Sequence, residues 1–72
     1  MWVYILYSNS TEKYYTGHSA NFQDRFNRHN SARNLATKAG IPWSLVWKKE
    51  FPSRAIAMAM EKKIKKRGQK DF

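Results

Sequence analysis

Arg25 and His29 stand four residues apart in a stretch that reads as helix, so both fall on one face. An arginine directed at a sheet can grip a phosphate oxygen through two parallel N–H groups. A histidine one turn away can bind the same group or move a proton. The same spacing suits an inert surface pair. Glu61 is an acid among lysines, at the border of an apolar stripe. It is the best candidate for holding a hard cation such as Mg²⁺, which takes one or two carboxylates and keeps several waters. It could equally balance neighbouring basic charge. Tyr4 and Tyr15, taken alone, read as strand aromatics of the kind that usually pack in a core.

Other chemistries lack their residues. Cysteine is absent, which removes disulfides, thiolate zinc sites and cysteine nucleophiles. His18 and His29 are the two histidines and have no metal-pair spacing, so tetrahedral zinc is not expected. There is no Ser-His-Asp order, phosphate-cradling glycine loop or nucleotide fingerprint. No carboxylate pair is spaced for glycoside hydrolysis.

The elements that must position these groups follow from the pattern. Trp2 to Tyr7 is aromatic and β-branched and apolar on both faces, which predicts a central strand. Polar residues 8–12 make a turn, and Lys13 to His18 a second strand, giving an antiparallel hairpin. Asn21 caps a helix from about Phe22 to Ser31, with Asp24 near its positive end and Phe22 and Phe26 facing the core. Residues 31–41 show no apolar period, contain Gly40 and are followed by Pro42, and read as a mobile loop. Trp43 to Phe51 alternates Trp43, Leu45, Trp47 and Phe51 against polar positions, with Val46 and Lys49 out of phase, and reads as a third strand. Ser53 caps a second helix, about Arg54 to Arg67, whose stripe is Ile56, Met60 and Ile64, flanked by Ala57 and Ala59. Gly68 ends it and Gln69 to Phe72 read as a frayed tail. The order ββαβα predicts a single α+β domain: a small three-stranded antiparallel sheet with flanking helices.

The chain has 72 residues, 42% of them apolar and 15% aromatic, enough for one small packed domain. No apolar run reaches the length of a membrane span, and no signal-peptide pattern opens the chain, so a cytoplasmic location is expected. Fourteen lysines and arginines face five carboxylates, for a formal charge of +9. So positive a small body points to a polyanion, with nucleic acid first and an anionic membrane surface a weaker option. A merely solubilising lysine surface has the same composition.

Taken in order, these stretches resemble the GIY-YIG nuclease family. Val3-Tyr4-Ile5 matches its first motif with valine for glycine. Tyr15-Thr16-Gly17 matches the second with threonine for isoleucine, and the gap between them has the family's length. The run 25–30, Arg-Phe-Asn-Arg-His-Asn, matches its helical R-x-x-x-H element. Residues 42–47 and 61–65 resemble the third strand and glutamate helix of the small single-domain bacterial branch. The resemblance spans essentially the whole chain.

It implies a one-metal phosphodiesterase site. One phenol of Tyr4 and Tyr15, side by side across the hairpin, would position or deprotonate a water; the other would contact the phosphate. A phenolate base would need positive charge nearby, from Arg25 or the metal. Arg25 would offset charge developing in the transition state, and His29 would orient a tyrosine or relay a proton. Glu61 would bind one Mg²⁺ or Mn²⁺. Many family members carry an asparagine after the glutamate helix; none follows Asn34 here, so that role is empty or filled otherwise. No added DNA-binding domain is seen. Arg28, Arg33, Lys38, Lys62, Lys65, Lys66 and Arg67 would hold nucleic acid, DNA ahead of RNA, by backbone charge. The expected function is a metal-dependent DNA endonuclease that is structure-directed or of low sequence specificity. The competing reading is a non-catalytic nucleic-acid-binding module of the same fold.

Overall fold

The computed structural model describes residues 1–31 and 37–68. Its elements are β1 (Trp2–Ser8), β2 (Lys13–Ser19), α1 (Phe22–Asn30), a 3-10 turn (Lys38–Gly40), β3 (Trp43–Glu50) and α2 (Arg54–Arg67). The strands form one antiparallel sheet in the order β2-β1-β3. β1 is central, as its two apolar faces require: Val3, Tyr4, Ile5 and Leu6 are all buried.

Successive side chains of β1 point to opposite faces and so divide the core in two. Val3 and Ile5 pack on Ala57 and Ile64 of α2, with Met60, Trp47 and Phe51 at the margin. Tyr4 and Leu6 pack on Phe22 of α1 and on Trp43, with Phe26 and Tyr15 at the margin. Both helices begin on side-chain caps. Asn21 accepts the Asp24 amide at 3.1 Å and Ser53 the Ile56 amide at 3.2 Å. α2 closes at Gly68, whose φ of 93° favours glycine.

Three expectations are corrected. β3 does not keep one alternation: Ile5 faces Trp47 while Leu6 faces Leu45, which leaves Val46 as an extra, bulged residue. The phase therefore inverts, and Trp43 joins the α1 layer while Trp47 joins the α2 layer. In α2, Ile56 is 48% exposed; Ala57, Met60 and Ile64 make the packed stripe instead. Part of the expected loop is also structured, since Thr37 and Gly40 are buried and 38–40 forms the 3-10 turn. Residues 32–36 of that loop, with Arg33, and the expected frayed tail lie outside the described residues. No described helix is long and apolar enough to cross a membrane.

Candidate active site

Register decides which groups can meet. Tyr4 lies opposite Gly17, and Leu6 opposite Tyr15, so the two tyrosines are diagonal neighbours on the α1 face, their ring centroids 6.5 Å apart. A Cβ at position 17 would lie 2.6 Å from the Tyr4 hydroxyl. Glycine there is a demand for space: the phenol crosses the edge strand where a side chain would stand. By contrast, Thr16 takes the isoleucine position of the motif on the α2 face. Its buried hydroxyl finds no partner among the described residues.

α1 brings His29 to the same place. His29 is completely buried, and its Nε2 is 3.2 Å from the Tyr4 hydroxyl. Its Nδ1 is 3.0 Å from the hydroxyl of Thr37, which is also buried. The Tyr15 ring lies 4.7 Å from the imidazole, centroid to centroid. The last turn of α1 is pinned to β3 by Asn30, whose amide side chain bonds both backbone groups of Trp43, at 2.6 and 3.1 Å. Beside Tyr15 opens a cleft of about 240 Å³ between the β1–β2 turn, Thr37, Gly40 and Trp43.

Electrostatics tie Arg25 and Glu61 to this cluster. Burial pushes the Tyr4 phenol well above the ordinary tyrosine range; Tyr15 adds to this, Arg25 opposes it, and Glu61 adds again. Tyr4 is therefore a neutral phenol in the free protein, and Arg25 alone does not make it a phenolate. Burial, and then the Arg25 charge, hold His29 below its usual range, so its imidazole is neutral near pH 7. Arg25 is half-buried, while Arg28 is exposed and paired with Asp24 at 3.3 Å.

Glu61 approaches from the other side. On α2 it accepts from His18 Nδ1 at 2.8 Å and from Lys65 Nζ at 3.4 Å. His18 follows Gly17 on edge strand β2 and belongs to the α2 face, opposite Val3. The structure thus gathers Tyr4, Tyr15 and His29 in contact, brings Arg25 within electrostatic reach of Tyr4 and His29, and holds Glu61 across the sheet edge within electrostatic reach of Tyr4. Lys38, Lys62, Lys66 and Arg67 are exposed; Lys65 is committed in part to Glu61. Sequence reasoning missed His18 and Thr37. His18 carried one signal, its place beside the glycine of the second tyrosine motif; Thr37 carried none.

The model of the GIY-YIG catalytic domain matches residues 1–71. The chain belongs to the GIY-YIG family. That is a nuclease family, whose members act on nucleic acid and generally use divalent metal ions. Neither the curated proteins nor the solved structures yielded a match. In GIY-YIG terms, the glycine of the second motif is explained here by the Tyr4 hydroxyl lying against it, and the histidine of the helical element by its bond to that hydroxyl.

Proposed function

We propose that the protein is an endonuclease hydrolysing DNA phosphodiesters with one divalent cation, Mg²⁺ or Mn²⁺, and with little reading of base sequence. The observation that carries this is the Tyr4–His29 hydrogen bond lying beside Tyr15 and Arg25, in a chain of charge +9.

Tyr15 and Arg25 are half-buried and so the more accessible members; they meet the scissile phosphate. The guanidinium offsets charge on its oxygens as the transition state forms. Tyr4 and His29 lie beneath. As a water attacks phosphorus, Tyr4 takes its proton and passes its own to His29 Nε2. The new bond joins water oxygen to phosphorus, and the bond to the leaving deoxyribose oxygen breaks, that oxygen departing with the electron pair and taking a proton from solvent. A neutral imidazole is the form able to receive that proton, so the depressed pKa of His29 serves the step near pH 7.

The donor set near Glu61 is one carboxylate with one imidazole beside it, and no group of three His, Cys, Asp or Glu gathers among the described residues. This suits a hard cation that keeps most of its water and rests on one carboxylate and a substrate phosphate. Glu61 would hold it. Such an ion polarises the phosphate and stabilises the departing oxygen. The exposed Lys38, Lys62, Lys66 and Arg67, together with Arg28, Arg33 and Lys65, supply backbone contacts that are blind to sequence.

The test is nicking of branched, nicked and single-stranded DNA in Mg²⁺ or Mn²⁺ by the natural protein, Arg25→Ala and Glu61→Ala. Both variants should lose cleavage by at least about 100-fold. Equal activity in all three would mark a contaminant. The burial of Tyr4 favours the competing reading, a binding module that keeps the fold. It expects salt-dependent DNA binding that Glu61→Ala leaves unchanged and no metal-dependent cutting.

A further inference from the structure

We infer that Thr37 is a positioning residue: its hydroxyl accepts the Nδ1–H of His29 and so fixes the imidazole in the tautomer whose Nε2 is free to receive a proton from Tyr4. The inference rests on the nuclease reading for its purpose, but its geometry stands alone.

The Tyr4 hydroxyl is buried, and among the described residues its hydrogen-bond partner is His29 Nε2 at 3.2 Å. A buried O–H has to donate, or the cost of desolvating it is unrecovered. Nε2 is therefore the acceptor, and a neutral imidazole that accepts at one nitrogen carries its proton on the other. That proton sits on Nδ1, 3.0 Å from Thr37 Oγ1, where a hydroxyl lone pair receives it. Serine or threonine can serve here, because a hydroxyl has lone pairs to offer; valine, the same shape, cannot.

Thr37 is itself held from three sides. Its carbonyl accepts the Trp43 indole N–H at 2.8 Å and the Gly40 amide at 3.1 Å. The Trp43 ring lies directly on Gly40, so close that any side chain at 40 would collide with it. Trp43 is in turn fixed to Asn30, the residue after His29. The threonine and the histidine it orients are thus clamped to one another through β3, although eight residues of chain separate them. Such clamping is what a proton path needs, since the tautomer must be right before substrate arrives.

The test combines nitrogen-15 NMR of the imidazole with steady-state cleavage, on the full chain. The natural protein should show His29 protonated on Nδ1 with Nε2 bare. Thr37→Val should shift the population toward the Nε2–H form and lower kcat by at least about 10-fold with KM little changed. Thr37→Ser should restore both. A natural protein with His29 in the Nε2–H form overturns the inference, and that result needs no variant to fold. So does Thr37→Val with an unaltered tautomer, or Thr37→Ser that behaves as valine does. Thr37→Ala provides the same hydroxyl loss should valine unfold the chain. The NMR arm needs no turnover, so the absence of cleavage by the natural protein would remove the nuclease reading and leave the tautomer assignment to be decided.

Discussion

The two faces of the sheet are built from the same central strand and are chemically unlike. Toward α2, Val3 and Ile5 meet Ala57 and Ile64, and the contact is aliphatic. Toward α1, Tyr4 meets Phe22, Tyr15 and His29, and polar atoms of Thr37 and Trp43 thread the layer. The first face gains from shape and area, which tolerate apolar exchange. The second gains from bonds that each need a specific atom, and losing one leaves a buried group unpaired. One strand therefore carries stability on its odd residues, 3 and 5, and candidate chemistry on an even one, 4.

That division can be broken by substitution on either side. The largest effect is expected on the α1 face, in function. Tyr4→Phe and Tyr15→Phe should each cut DNA cleavage by at least about 100-fold while circular dichroism stays near that of the natural protein. Tyr15→Phe should also melt normally, whereas Tyr4→Phe leaves the buried His29 Nε2 unpaired and should lose about 1–3 kcal/mol. Variants that cut normally would return both tyrosines to the core. Next is Ile5→Ala on the other face. It should cost about 2–5 kcal/mol by denaturant unfolding, a large share of the roughly 4–11 kcal/mol available to a domain of this size. The cleavage rate of the folded fraction should change little.

Acid probes the α1 face through His29. Its folded pKa lies below the unfolded value, so the unfolded chain binds more protons. Stability should be fully present above about pH 6.5 and fall as pH drops from there toward the folded pKa. His29→Gln should flatten that decline, measured as melting temperature against pH. The smallest effect is on the α2 face. Thr16→Val removes a hydroxyl that is buried without a partner among the described residues and should stabilise by about 1 kcal/mol. A loss of stability there would mean that the hydroxyl is bonded in solution.

Much of this was legible in the sequence because it is local. The order ββαβα, the hairpin, both N-caps and the central place of β1 follow from residue patterns within a few positions of each other. So does the shared helix face of Arg25 and His29. What escaped was non-local or irregular. The His18–Glu61 contact joins residues 43 apart and rests on how α2 lies against an edge strand. The His29–Thr37 bond crosses a stretch with no period to read. The bulge at Val46 broke the alternation visibly, but alternation alone cannot say which tryptophan changes sides. Ile56 has the right spacing for the stripe and the wrong angle, because Ala57 sets the line of closest approach.

Gly17 has one more effect, on insulation. Elsewhere a strand and its side chains separate the charges on α2 from the groups under α1. At Gly17 the Tyr4 hydroxyl rests against bare backbone, and the next residue, His18, holds Glu61. No side chain at 17 keeps the phenol off the backbone there, like a capacitor with its plates pinched together at one spot. Glu61 already helps keep the Tyr4 proton in place across that gap. Neutralising it, as in Glu61→Gln, should lower the phenol's titration midpoint, so a change of charge on one layer is felt as acidity in the other.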